Sequence, residues 1–194
     1  MGKIFYFMGK SSSGKDTIFQ RIQKEFSKMK TIILYTTRPI RENEVHGREY
    51  FFVEEDGFLQ FQEEGKIIEL REYDTMHGVW RYFTVDDGQI DLEEAHYFAI
   101  GTLMSYAKMR HYFGEDKLVP IYVEVEAGER LSRALLREKM QETPKYAELC
   151  RRFLADEKDF AEENLENEGI TRRFENQNIE ECVREITLYM CEYI

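Results

Sequence analysis

The first hydrophobic run of the chain, Ile4–Met8 (IFYFM), is short and unbroken, as expected of a strand buried on both faces of a parallel sheet. A turn rich in glycine and serine follows. Ile18, Phe19, Ile22 and Phe26 then recur at helical spacing, and Thr31–Tyr35 is a second apolar run. Strand, loop, helix and strand in that order open a doubly wound α/β fold. The middle of the chain has a different texture. Arg48–Val53, Ile67–Tyr73 and the stretch GVWRYFTV read as strands, with a helix around Asp56–Glu64, and together they predict an inserted cluster of antiparallel strands. Core alternation resumes with a strand over His96–Ile100, a helix over Leu103–Tyr112 and a strand over Leu118–Val125. Two long helical patterns, Glu129–Met140 and Lys145–Leu165, precede a last strand at Ile170–Phe174 and a last helix at Ile179–Met190. The polar stretch REKMQETPK between the long helices predicts a mobile connection, and no repeat or Pro/Gly/Ser linker divides the chain.

Charge and composition narrow the function classes. The 194 residues carry 38 acidic and 27 basic side chains, a net charge of −11, which argues against a protein that grips nucleic acid through its phosphates. No apolar stretch approaches the roughly 18 residues needed to span a bilayer, and the N-terminal apolar run meets the glycine turn too soon for a signal peptide. Three cysteines, Cys150, Cys182 and Cys191, match no metal spacing and fit a reduced, cytoplasmic setting; Cys182 and Cys191 fall in a helical pattern as core positions. His46, His77, His96 and His111 are scattered without ligand spacing, and Trp80 reads as core packing.

The turn itself carries the first chemistry. In GKSSSGKDT, Gly9, Gly14 and Lys15 have the spacing of a phosphate loop. Glycines let the backbone turn and approach phosphates with no Cβ in the way, and amides at the head of the following helix favour negative charge. Ser11, Ser12 and Ser13 lie within that cradle, and Lys15 is placed to reach the β- and γ-phosphates of ATP. Asp16 stands where such loops usually carry a hydroxyl. It either holds Mg²⁺, directly or through water, or points away and favours the helix N-terminus; Thr17, one place later, is the preferred phosphate-contacting hydroxyl. A second signal lies in TTRPIRENEVHGREYFFV. Arg38 and Arg41, with Tyr50 on a following strand, make a clamp suited to a dianionic monophosphate, because forked guanidinium donors match phosphate oxygens.

Taken together, Thr36-Thr37-Arg38, Arg41, Glu44, Gly47 and Tyr50 resemble the signature of guanylate kinases, and the Gly9–Thr17 loop resembles that family's phosphate loop. The resemblance extends over about Lys3–Ile186. It implies that Glu69, in GKIIEL, contacts the guanine, and that Tyr82 and Thr84 are the nearest counterparts of a tyrosine and hydroxyl that hold the nucleotide. It also implies that Arg137 and Arg152, or the neighbouring Arg151, reach the transferring phosphoryl group, and that Asn176 touches the adenine of ATP. The family's acidic motif at the end of the next core strand has no counterpart in AIGTLMSY, around Gly101.

The architecture so implied is a three-layer α/β P-loop NTPase-type domain with a five-stranded parallel sheet. Its core spans 1–34 and 91–194, a mixed α/β monophosphate-binding lobe spans about 35–90, and a helical lid lies near 137–150. The implied function is ATP-dependent phosphorylation of a nucleoside monophosphate, GMP first, with Mg²⁺ and ATP bound. Two alternatives remain: a kinase of the same architecture with another phosphorylated acceptor, raised by the missing carboxylate, and a guanylate-kinase-like binding module without turnover. The retained Gly9, Gly14 and Lys15 count against the second.

Overall fold

A computed structural model describes residues 1–75 and 78–194; His77 lies outside the described residues. In chain order the elements are β1 (Ile4–Met8), α1 (Lys15–Glu25), β2 (Lys30–Thr31), β3 (Tyr35–Thr36), β4 (Phe51–Phe52), α2 (Glu55–Glu63), β5 (Ile67–Thr75) and β6 (Gly78–Val85). They continue as β7 (Tyr97–Ile100), α3 (Leu103–Phe113), β8 (Leu118–Glu124), α4 (Ala127–Lys139), α5 (Tyr146–Asp159), α6 (Glu162–Asn167), β9 (Arg173–Glu175) and α7 (Ile179–Cys191).

β1 sits at the centre of a five-stranded parallel sheet of order β2-β7-β1-β8-β9. All five of its residues are buried, and their alternation divides them between two layers. Ile4, Tyr6 and Met8 join Leu103, Tyr106 and Met109 of α3 and Phe160 beyond α5. Phe5 and Phe7 join Ile18, Phe19 and Ile22 of α1 and Cys182, Val183, Ile186 and Met190 of α7. Helices therefore cover both faces of the sheet, which is why its central strand reads as one continuous apolar run.

The inserted lobe has its own sheet, order β4-β3-β6-β5, in which β3 and β4 run parallel and the other pairs antiparallel. Tyr35, Phe58, Phe83 and Val85 form its small core. Among the described residues no helix is long and apolar enough to cross a membrane.

Three expectations need correction. The run Thr31–Tyr35 is not one strand: Lys30–Thr31 pairs with β7, whereas Tyr35–Thr36 belongs to the lobe sheet, so the chain passes between sheets inside one apolar run. The pattern Lys145–Leu165 breaks after Asp159, where Ala161 is extended and Phe160 stacks on Tyr122 at 5.6 Å. Finally, Cys191 is exposed at the end of α7, and only Cys182 is a core thiol.

Burial pushes the Cys182 thiol up to about 12, so almost none is thiolate at neutral pH. Cys150 and Cys191 should react with a thiol-specific disulfide reagent in the native protein, and Cys182 only after denaturation. Rapid reaction of all three native thiols would contradict this packing.

Candidate active site

The loop between β1 and α1 is tied down from several sides. Gly14 is left-handed at φ 85°, and a Cβ there would lie 2.4 Å from Asn176 Nδ2, so the position admits glycine on two counts. That same Nδ2 donates to the Ser13 carbonyl at 2.8 Å. Ser12 is a non-glycine residue at φ 66°, a strained conformation of the kind found where a loop holds a ligand.

Beneath the loop lies Arg130, only 1% exposed although it sits on a helix rich in surface charge. Its Nη1 donates to the Ser11 carbonyl at 3.2 Å and lies 3.4 Å from the Asp156 carboxylate. Its Nη2 pairs with Glu157, and its guanidinium stands 4.1 Å from the Phe153 ring centroid. Asp156 also accepts the Ser11 N–H at 2.7 Å, and Lys10 pairs with Glu157 at 2.9 Å. Arg130, Asp156 and Glu157 thus join the loop to α5. Sequence reading misses them, because arginines and carboxylates at helical spacing are usually solvated pairs.

The two arginines expected at the transferring phosphoryl group both reach the loop: Arg137 Nη2 donates to Ser12 Oγ and Arg152 Nη2 to Ser11 Oγ, each at 3.1 Å. Arg151 lies on the cleft wall but pairs with Glu148.

A cleft of about 670 Å³ runs from this loop to the lobe. Gly9, Ser11, Lys15, Asp16 and Arg152 line one part, and Arg48, Tyr50, Arg71, Thr84 and Thr102 line the rest. Lys15 Nζ lies 3.3 Å from the Asp16 carboxylate, which is largely exposed. Burial raises the Tyr50 phenol, which therefore stays protonated and able to donate at neutral pH.

Several expected site residues lie elsewhere. Thr17 is exposed and does not line the cleft, whereas Asp16 does, because successive helix positions point about 100° apart. Asn176 is 4% exposed and buttresses Ser13, leaving no amide turned outward for a base. Arg38 and Arg41 are not among the lining residues. Arg38 is buried; its Nη1 and Nη2 grip both oxygens of Glu44, its Nε donates to the Tyr82 hydroxyl, and Nη1 also donates to the Pro39 carbonyl. The Tyr50 and Phe52 rings flank it at 5.5 Å. Most of its donors are therefore committed, and the fork holds Glu44 below the usual carboxylate range. Arg41 gives its backbone N–H to Glu44 and keeps an exposed side chain. Tyr82, committed to Arg38, is likewise off the cleft wall.

Glu69 is 2% exposed and does not line the cleft either. It accepts from Thr84 Oγ1 at 3.0 Å and from Arg71 Nε and Nη2 at 3.2 and 3.3 Å. The end of β7 carries no carboxylate, and Thr102 there caps α3 in a reciprocal pair with Ser105. Among the described residues no group of three or more His, Cys, Asp or Glu side chains is placed to hold a metal ion.

Comparison with known proteins agrees with this geometry. Residues 1–81 match the guanylate kinase family model, a span that includes the loop and most of the lobe. The chain is 38% identical over 77 residues to the guanylate kinase of Oleidesulfovibrio alaskensis, covering 40% of this chain and 36% of that protein. It is 34% identical over 83 residues to the guanylate kinase of Thermotoga maritima, covering 42% and 40%. The matched stretch is thus well under half the length of these curated relatives. The crystal structure of guanylate kinase from Anaplasma phagocytophilum superposes with a TM-score of 0.67 at 19% identity, covering 99% of this chain and 86% of that one, and shows the shared fold. The first 81 residues are thus similar in sequence to guanylate kinases, and the chain as a whole shares the fold of one.

Proposed function

We propose that the protein transfers the γ-phosphoryl group of ATP to a nucleoside monophosphate, with GMP as the acceptor. The observation that carries this reading is the single cleft that has Lys15 and the loop along one part and Tyr50 and Thr84 of the lobe along another. Two nucleotides can lie in it with their phosphates meeting near Arg152.

Phosphoryl transfer asks the protein for positioning and charge neutralisation rather than covalent chemistry. Loop amides and Lys15 would hold the β- and γ-phosphates. Arg137 and Arg152, now on the hydroxyls of Ser12 and Ser11, would exchange those neutral partners for the transferring group, since charge-assisted bonds are the stronger. On the acceptor side, Tyr50 on the cleft wall would contact the monophosphate, the exposed Arg41 side chain would have to swing in from outside that wall to join it, and Arg38 would act through Glu44 as a positioning residue. No general base is required, because the attacking monophosphate oxygen is already anionic. The Asp16 carboxylate on the cleft wall fits Mg²⁺, which is held by one or two carboxylates together with phosphate oxygens. The ion would neutralise charge between the phosphates when bound. The fit of three free thiols with a reducing compartment extends the proposal to a cytoplasmic setting.

A coupled ADP-release assay with GMP, AMP, CMP and UMP tests the reading. GMP-dependent release that also requires Mg²⁺ is expected; no release with any of the four would overturn it.

A further inference from the structure

At the lobe end of the cleft, the member of the Arg71–Glu69 pair that lines the open space is the guanidinium, with the Glu49 and Asp159 carboxylates elsewhere on the same wall. Arg71 lines the cleft with Tyr6, Thr84, Gly101 and Thr102, whereas Glu69 is covered. The arginine binds Glu69 side-on, through Nε and Nη2. Its Nη1 has no hydrogen-bond partner among the described residues, so the end of the fork, Nη1 and the second N–H of Nη2, remains available for a ligand. A carboxylate has about four lone-pair sites. Thr84 and Arg71 already occupy three on Glu69, two on Oε1 and one on Oε2. The pair as built can therefore accept at most one further hydrogen bond, while it presents several donors. Gly101 cannot be replaced by a residue that reaches in from β7, because even a Cβ there would lie 2.2 Å from the Tyr6 hydroxyl.

Resting on the nucleotide-kinase reading above, we propose that Arg71 is the base-reading residue of the acceptor site, and that it selects 6-oxopurine monophosphates through the O6 and N7 acceptors. An end-on arginine fork matches that pair of acceptors, and an adenine fails the match because it places an amino donor where O6 stands. The exocyclic 2-amino group of guanine finds no acidic partner on β7 and at most one remaining site on Glu69. GMP and IMP are consequently read alike.

The test compares GMP, IMP, AMP and 6-thio-GMP, both by kcat/KM and by equilibrium binding to the full-length protein. IMP should fall within about tenfold of GMP, since one weak contact separates them, and AMP should fall by about a thousandfold or more because a hydrogen-bonding site is left unpaired. Sulfur is a weak acceptor, so 6-thio-GMP should lose about tenfold or more relative to GMP. In Arg71→Gln, GMP and IMP should drop together, and the GMP-to-thio-GMP ratio should collapse toward one. Loss of fold alone would lower both substrates equally and leave that ratio intact. Arg71→Lys keeps a cation beside Glu69 but has no fork; it should retain the thermal midpoint and still lose the O6 preference. The inference is overturned if IMP is rejected as strongly as AMP, or if either folded variant keeps the wild-type ratio. If no monophosphate is turned over yet the binding ratios hold, the kinase reading fails and the role of Arg71 stands.

Discussion

Replacing Lys15 by alanine should lower kcat by about a thousandfold or more, the scale on which single cations act at a transferring phosphoryl group. Lys15 opens α1, directly after the left-handed Gly14, and its ammonium reaches the cleft beside Asp16. The backbone that places it does not depend on its side chain. Among the described residues its ammonium pairs only with the exposed Asp16 carboxylate, a pair of small energetic worth. The variant should therefore melt within a few degrees of the wild type and keep measurable affinity for GMP. This separation distinguishes a loss of transition-state stabilisation from a loss of fold. Steady-state kinetics with GMP and a thermal melt read it out. Turnover within tenfold of wild type would remove the loop from the reaction.

Arg130→Met should have the largest effect on stability, about 3 kcal/mol, because it strips a buried guanidinium from carboxylates that face it. In a chain of this size that corresponds to a fall of about 6–12 °C in Tm. Arg130 is 1% exposed and meets Ser11, Asp156 and Glu157 together, whereas the carboxylates keep side-chain exposures of 19% and 38%, which holds the cost below that of a fully buried pair. Function should suffer as well. Asp156 anchors the Ser11 N–H, and with the cation gone its charge would weaken the phosphate site next to it. ATP affinity should fall more than GMP affinity. Combining Arg130→Met with Asp156→Asn should restore part of the Tm, since the uncompensated carboxylate is removed. A variant with unchanged Tm and unchanged ATP affinity would show that the network has no structural role.

Much of the core was legible because its strands are buried on both faces and its helices on one. Ile4–Met8 and residues 118–123 announce themselves as apolar runs, and Ile179–Cys191 as a helical stripe. Where sequence reading fails, two environments look alike in hydropathy. The residues from Thr31 to Tyr35 are apolar whether they belong to the core sheet or to the lobe, and only the pairing partners show the change. The break after Asp159 is invisible for a similar reason: Phe160 is needed in the core at that point, and an apolar residue at helical spacing looks like one more turn. At the site, loop spacing marked Lys15 and the family resemblance marked Arg137 and Arg152, but neither could say which arginines would be neutralised. Arg38 carries the motif yet is gripped by Glu44, whereas Arg71, outside any motif, faces the open cleft. A charge's partner is a tertiary fact, and helical or strand spacing alone does not contain it.

The central claim is that one cleft binds two nucleotides end to end, the donor on the loop and the acceptor on the lobe. Titration calorimetry with adenosine and guanosine joined through a five-phosphate chain tests it most directly. The account predicts one molecule bound per chain, at least about a hundredfold more tightly than ATP or GMP alone because the second contact becomes intramolecular, with displacement by either nucleotide. An affinity no better than that of ATP, or failure of GMP to compete, would contradict it.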